Sequence, residues 1–216
     1  MTKVADHDLP PGTTGLVLHK AALYDLTVWL MTLGRERSFR ERILRLARLE
    51  PGESVLDVGC GTGSLAIAAK RQVGPAGTVC GIDASPEMLA RADRKARRGG
   101  LEVVLRHAAA HALPFPDAQF DAVLTTIMLH HLPRKAREQC IREIRRVLKP
   151  GGRALAVEFA APAQKKRRSL IHFHRHGHVN LSDIVAMLSA AGLDIVASGA
   201  VGFRNLQFAL ATAPRS

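Results

Sequence analysis

A few residues of this 216-residue chain have types and spacings that could do chemistry. Asp57 and Asp83 each lie at or near the end of a short apolar run; glycines stand between them at 59, 61 and 63; further on come the pair His130-His131 and four alternate histidines, His172, His174, His176 and His178. The glycines are the most informative. In Ser54-Val55-Leu56-Asp57-Val58-Gly59-Cys60-Gly61-Thr62-Gly63 an apolar, β-branched run meets glycine at alternate positions, and the helix-favouring Leu65-Ala66-Ile67-Ala68-Ala69-Lys70 follows. That is a buried strand entering a helix through a glycine turn. Glycine there permits positive φ and lets a ligand reach main-chain N–H groups without meeting a Cβ. The helix adds its N-terminal donors and the positive end of its dipole, which suit a carboxylate or phosphate. The dinucleotide fingerprint needs a glycine at the sixth position, where this chain has Ser64. The pattern is GxGxG and points away from nicotinamide cofactors. Asp83 ends a second strand-like run, Thr78-Val79-Cys80-Gly81-Ile82-Asp83, where a carboxylate can accept both hydrogen bonds of a ribose diol.

Taken in order, the glycine phrase, then Gly81-Ile82-Asp83-Ala84-Ser85-Pro86-Glu87-Met88-Leu89, Leu113-Pro114-Phe115 with Phe120-Asp121, and Val147-Leu148-Lys149-Pro150-Gly151-Gly152 closely resemble the class I S-adenosylmethionine-dependent methyltransferases. The resemblance implies an α/β, Rossmann-like fold: a mostly parallel seven-stranded sheet with helices on both faces, the cofactor lying across the carboxyl ends of the strands. It places Asp57 near the methionine amine of S-adenosyl-L-methionine, Gly59, Cys60 and Gly61 along the methionine part, Asp83 at the ribose, Ala84 at the adenine, and a carbonyl at Thr125 or Thr126 facing the α-amino group. Tyr24-Asp25, Gly34 and Phe39-Arg40 look like the leading region of the quinone-biosynthesis C-methyltransferases, in which relation Tyr24 would reach the methionine carboxylate. His130 is the candidate general base, with an imidazole suited to proton removal at neutral pH. The chain departs from the pattern in one place: where the family has an aspartate that binds the adenine amino group, the aligned residues are Ala109 and Ala110. The backbone contact survives there and the side-chain contact does not, a loss of about 0.5–1.5 kcal/mol.

The elements that must position these residues follow from the pattern around them. Helices are expected over 35–49, 64–72, 86–98, 135–148 and 181–191, and strands over 54–58, 78–83, 102–106, 120–125, 153–159, 193–200 and 206–212, the last two antiparallel. Lys149-Pro150-Gly151-Gly152 reads as the turn before the fifth strand. Residues 1–50 read as an N-terminal helical lid and 51–216 as the cofactor-binding domain, with a basic, His-rich insertion at about 160–182. That insertion has no Asp, Glu or Cys. Its histidines are therefore read as part of a cationic cap over the acceptor pocket, and no metal is assigned.

Composition bounds the rest. The length suits one α/β domain. No apolar run is long enough to span a bilayer and the first eleven residues do not look like a signal peptide, so the expected location is cytoplasmic. Three scattered cysteines suggest neither a disulfide framework nor a zinc site, and Cys60 is read as a packing residue. The net charge of +12 admits RNA or an anionic membrane surface as a partner. The arginines lie mainly on expected helices and lack the series of aromatics that stacks bases, which favours solvated helix faces. The leading expectation is a methyltransferase for a small apolar acceptor, such as a quinone precursor, a lipid headgroup or a secondary metabolite. An RNA methyltransferase and a non-catalytic cofactor-binding partner protein are the alternatives.

Overall fold

The computed structural model describes residues 34–160, 179–203 and 205–215. Helix α1 (Glu36–Ala47) precedes strand β1 (Ser54–Val58). Then follow α2 (Ser64–Val73), β2 (Thr78–Asp83), α3 (Pro86–Arg98), β3 (Val104–His107), β4 (Phe120–Thr126), α4 (Arg134–Val147), β5 (Leu148–Phe159), α5 (Leu181–Ala190), β6 (Asp194–Ala200) and β7 (Leu206–Thr212). A single 3-10 turn, Leu129–His131, joins β4 to α4.

The strands form one seven-stranded sheet in the order β3-β2-β1-β4-β5-β7-β6. Neighbours from β3 to β5 are parallel, and β7 runs antiparallel to both β5 and β6. The last two strands are antiparallel to each other, as expected, and β7 alone opposes the other six. The order reverses between β1 and β4, and at such a switch point two successive connections leave to opposite faces and open a crevice at the carboxyl ends.

The side-chain alternation of each strand divides the core between the two faces. Leu56, Val58 and Ile82 pack toward α4 and α5 with Cys140, Ile141, Ile144, Ile184 and Leu188. Val55, Leu124, Leu155 and Leu210 pack toward α1 and α2 with Ile43, Leu44, Ala66 and Ala69. Helix α1 thus shares the core of the sheet it precedes. The capping residues agree with the sequence. Ser85 accepts the Met88 N–H at 3.3 Å with Pro86 in the first turn of α3, and the Asn180 N–H donates to Asp183 Oδ2 at 3.3 Å at the head of α5. The fifth strand begins at Leu148, because Leu148 registers with Phe120 across a bulge and the Lys149–Gly152 stretch is absorbed into β5. Many surface arginines pair along their own helices, Arg37 with Glu41, Arg97 with Asp93 and Arg134 with Glu138. Among the described residues no helix is long and apolar enough to cross a membrane.

Candidate functional site

The glycine turn is stitched to the end of the neighbouring strand. The N–H groups of Gly59 and Cys60 donate to the Ile82 carbonyl at 2.9 and 2.8 Å, and the Gly61 N–H donates to Asp83 Oδ2 at 2.9 Å. Gly59 sits at φ +74°, and a Cβ there would strike the Met128 side chain, so backbone shape and close approach both demand glycine. Gly63, also at φ +74°, starts α2 and lies against Ala92 of α3.

Asp83 is held from both sides, with Oδ1 accepting the Ser85 N–H at 2.9 Å and Oδ2 accepting that of Gly61. Each carboxylate oxygen can accept twice, so one position on each oxygen remains for a pair of vicinal hydroxyls. Burial pushes the Asp83 carboxyl up, and the N–H bonds from Ser85 and Gly61 oppose that shift. Asp57, 3% exposed on β1, is pushed up to about 7, first by burial and then by the nearby Asp83 charge. A buried and a half-buried carboxylate at the ends of adjacent parallel strands make a site that gains from a cationic group. Cys60 beside them is buried, and burial with the two aspartates raises its thiol well above the usual range. It is a packing residue and no nucleophile.

Asp57, Gly59, Cys60, Thr62 and Ser64 line a cleft together with Phe39 and Arg40 from α1 and Thr126 and Ile127 from the end of β4. The aromatic-arginine pair of the leading region therefore reaches the glycine turn. The hydroxyls of Thr125 and Thr126 are buried without a hydrogen-bond partner. Buried hydroxyls are normally satisfied, so these two mark a wall that a polar ligand group would complete. Ile127 stands at φ +55°, a genuine outlier for a β-branched residue, pinned by its N–H to the Val157 carbonyl at 2.8 Å.

At the other end of Asp83, the Ala108 N–H donates to the Asp83 carbonyl at 3.2 Å and His107 Nε2 lies 3.1 Å from the Ala84 carbonyl. These contacts bring Ala84, Ala109 and Ala110 beside the carboxylate, with Ala109 buried. The loop after them is clamped from α4: Leu113 N–H donates to Glu143 Oε2 at 2.8 Å, and Arg146 donates to the carbonyls of Leu113 and Phe115 at 3.0 and 2.8 Å and to Asp117 at 2.7 Å. His111 is half-buried, and its Nδ1 is enclosed without a partner.

His130 lies in the 3-10 turn beyond β4 and is buried. Its Nδ1 is 2.8 Å from Oε2 of Glu158, itself 1% exposed, and its N–H donates to Oε1 at 3.4 Å. Arg137 of α4 holds the same turn, donating to the carbonyls of Leu129 and Leu132 at 3.1 and 3.0 Å.

Asp57, Gly59, Cys60, Gly61, Asp83 and Ala84 are thus gathered at the ends of β1 and β2, Thr125 at the end of β4, and Ala109 and Ala110 beside β3. Tyr24 and the histidines from 172 to 178 lie outside the described residues, among which no metal-binding cluster occurs. Thr126, named from the resemblance as an alternative to Thr125, lines the cleft, whereas sequence reading missed Ile127 and Glu158. The signal for Glu158 was an acidic residue near the carboxyl end of an otherwise apolar strand, Ala154-Leu155-Ala156-Val157-Glu158-Phe159. Ile127 left no such signal, since its importance is a matter of backbone direction.

Comparison with known proteins agrees with this geometry. A family profile described as "Methyltransferase domain" matches residues 55–152. The chain is 36% identical over 162 residues to a demethylmenaquinone methyltransferase of Lactobacillus johnsonii, covering 74% of this chain and 64% of that protein. It is 42% identical over 142 residues to a demethylmenaquinone methyltransferase of Thermus thermophilus (66% and 63%), and 39% identical over 144 residues to a ubiquinone/menaquinone biosynthesis C-methyltransferase of Bordetella avium (67% and 56%). The matched part is therefore about three fifths of the length of these relatives. Among solved structures, a SAM-dependent methyltransferase from Aquifex aeolicus superposes with TM-score 0.69 at 24% identity, covering 80% of this chain and 88% of that one. The [4+2]-cyclase SpnF superposes with TM-score 0.73 at 22% identity, covering 94% and 100%. At these identities the structures speak for the fold alone, and the cyclase shows that one fold hosts different chemistries.

Proposed function

The chain belongs to the class I S-adenosylmethionine-dependent methyltransferase family, and from that premise we propose that it transfers a methyl group from S-adenosyl-L-methionine to a small, largely apolar acceptor of the quinone-precursor class. The observation that carries this reading is the pair of carboxylates, Asp57 buried and Asp83 half-buried, that flank the glycine turn. Asp83 keeps one acceptor position on each oxygen for a ribose diol, and Asp57 faces the cleft where an ammonium would relieve its burial. The unpartnered Thr126 hydroxyl on the cleft wall fits the same ligand.

When bound, the cofactor supplies a sulfonium methyl group already activated for displacement. The work left to the chain is alignment and exclusion of water. Gly59 to Gly63, tied down by Ile82 and Asp83, fix the floor; Phe39, Ile127 and Leu65 close the cleft with apolar surface. Helix α1, packed on the sheet through Ile43 and Leu44, contributes Phe39 and Arg40 to the cleft. An acceptor then lies over β4 and β5, beside His130. The quinone-precursor class rests on the relatives, whose names specify demethylmenaquinone and ubiquinone/menaquinone biosynthesis.

Ala109, where the family has its adenine-binding aspartate, favours a second reading, a non-catalytic cofactor-binding protein. One experiment separates the two. Titration calorimetry with S-adenosylhomocysteine is run on the wild type and Asp83→Ala, alongside transfer of labelled methyl to a reduced short-chain demethylmenaquinone. Removing two charge-assisted acceptors from a diol weakens binding by about tenfold to a hundredfold. Unchanged affinity in Asp83→Ala overturns the site, and binding without transfer to any reduced quinone favours the second reading.

A further inference from the structure

The methyl-transfer reading says what the chain binds and leaves open how the acceptor loses its proton. Glu158 and His130 are a buried acid–imidazole pair close to the cleft wall. Glu158 is one residue beyond Val157, whose partner across the sheet is Thr126 of the cleft wall, and Val157 also accepts the Ile127 N–H. His130 sits two residues after Met128, which packs on Gly59. The turn from 128 to 131 thus bridges the glycine floor and the end of β5. Both pair members are nearly enclosed, with side chains 8% and 2% exposed, and Glu158 spends its two oxygens on one residue, Oε2 on Nδ1 and Oε1 on the N–H. A structural carboxylate inside a sheet core needs no histidine, and replacing such a pair by apolar residues is often neutral or stabilising. Its survival there calls for another reason.

We propose that Glu158 is a positioning residue: it holds His130 in the Nδ1–H tautomer, so that Nε2 is the basic nitrogen and takes the hydroxyl proton of a phenolic or hydroquinone acceptor during methyl transfer. This inference rests on the methyltransferase reading and narrows its acceptor to molecules carrying an acidic ring hydroxyl. The O–H bond breaks toward Nε2. The electron pair it leaves runs through the ring to the carbon that bonds the methyl group, while the carbon–sulfur bond breaks with both electrons on sulfur. The new sp³ ring carbon then loses its hydrogen and the ring carbonyl regains its hydroxyl, so one net proton stays on the imidazole and passes to solvent. The imidazolium formed in that step faces the Glu158 carboxylate, which stabilises it as it develops. Among the described residues, Arg137 of α4, which feels the Glu158, Asp183 and Glu138 carboxylates, and His131, whose ring is 3.9 Å from that of His130, also face the pair.

The experiment has a spectroscopic arm and a kinetic arm, with S-adenosylhomocysteine binding measured throughout. Long-range ¹H–¹⁵N correlation of the imidazoles in the ligand-free protein shows the Nδ1–H pattern for His130 in the wild type; Glu158→Gln mixes or reverses it, and Glu158→Asp restores part of it. With S-adenosylmethionine and a dithionite-reduced short-chain demethylmenaquinone, His130→Ala lowers kcat by about 10²–10⁴-fold and added imidazole recovers part of the loss. Glu158→Gln lowers kcat by about tenfold or more with KM for the cofactor unchanged. A wild-type Nε2–H tautomer, or a His130→Ala enzyme with wild-type kcat, overturns the proposal. If the wild type binds S-adenosylhomocysteine but methylates no reduced quinone or phenol, the proposal falls while the cofactor site stands. If S-adenosylhomocysteine does not bind, the methyltransferase reading itself falls and takes the proposal with it.

Discussion

Replacing Asp57 by asparagine should make the ligand-free protein more stable and the site worse. The Asp57 carboxyl ionises at about 3.8 in the unfolded chain and at about 7 in the fold, where it is 3% exposed and faces Asp83. The folded state therefore holds an extra proton between those values, and the native state loses ground as pH rises from about 4 to about 7. One pKa unit corresponds to about 1.36 kcal/mol, so a shift of about three units costs the wild type about 4 kcal/mol at pH 8. Asparagine has the same shape and no charge to desolvate. Its stability relative to wild type should be near parity at pH 4 and rise through the pH 5–7 window. At pH 8 the gain should reach a few kcal/mol, or several degrees in Tm for a chain of this size. Ligand binding should move the other way. The ionised carboxylate is the form that attracts an ammonium, and at pH 5 only about 1% of Asp57 is in that form, so affinity for S-adenosylhomocysteine in the wild type should be about a hundredfold lower at pH 5 than at pH 8. In the asparagine variant that pH dependence should largely vanish together with most of the affinity. Calorimetric scans of both proteins between pH 4.5 and 8.5, with and without S-adenosylhomocysteine, measure every quantity named. A Tm difference that stays flat across the range would refute the reasoning, because it would mean that Asp57 is ionised in the ligand-free fold at no cost.

The same scans extend to two other places in the molecule. Gly59→Ala combines an unfavourable φ with a Cβ driven into Met128, so it should cost at least about 2 kcal/mol and abolish the ligand-induced rise in Tm, with Met128→Ala on top relieving part of the stability loss. Arg146→Ala removes the donor that ties the Leu113 and Phe115 carbonyls and Asp117 to α4; hydrogen exchange over residues 110–118 should quicken by tenfold or more while β1 and β4 keep their protection. Unchanged exchange there would show that Glu143 alone holds the loop.

Much of the architecture is written in local pattern, because alternation, glycine placement and caps are short-range properties. Gly59, Gly61 and Gly63 announce the strand-turn-helix unit before any contact is known, Asp83 stands at a strand end by count alone, and Ser85-Pro86-Glu87 signals the start of α3. What the chain's order cannot carry is the meeting of segments far apart in it. That Asp83 adds to the cost of ionising Asp57, that Met128 needs the space of Gly59, and that Glu158 faces His130 across 28 positions are consequences of strand order, since β1 lies between β2 and β4 and β5 lies beyond β4. The fifth strand's early start has the same origin: Lys149-Pro150-Gly151-Gly152 has turn composition, yet Leu148 registers with Phe120 and Lys149 binds Asp121 at 2.8 Å, so pairing across the sheet overrides local preference. The glycines and carboxylates of the candidate site are thus legible one by one along the chain, whereas their charge states and the partner of the imidazole are fixed only when the sheet closes, because desolvation and hydrogen bonding act through space.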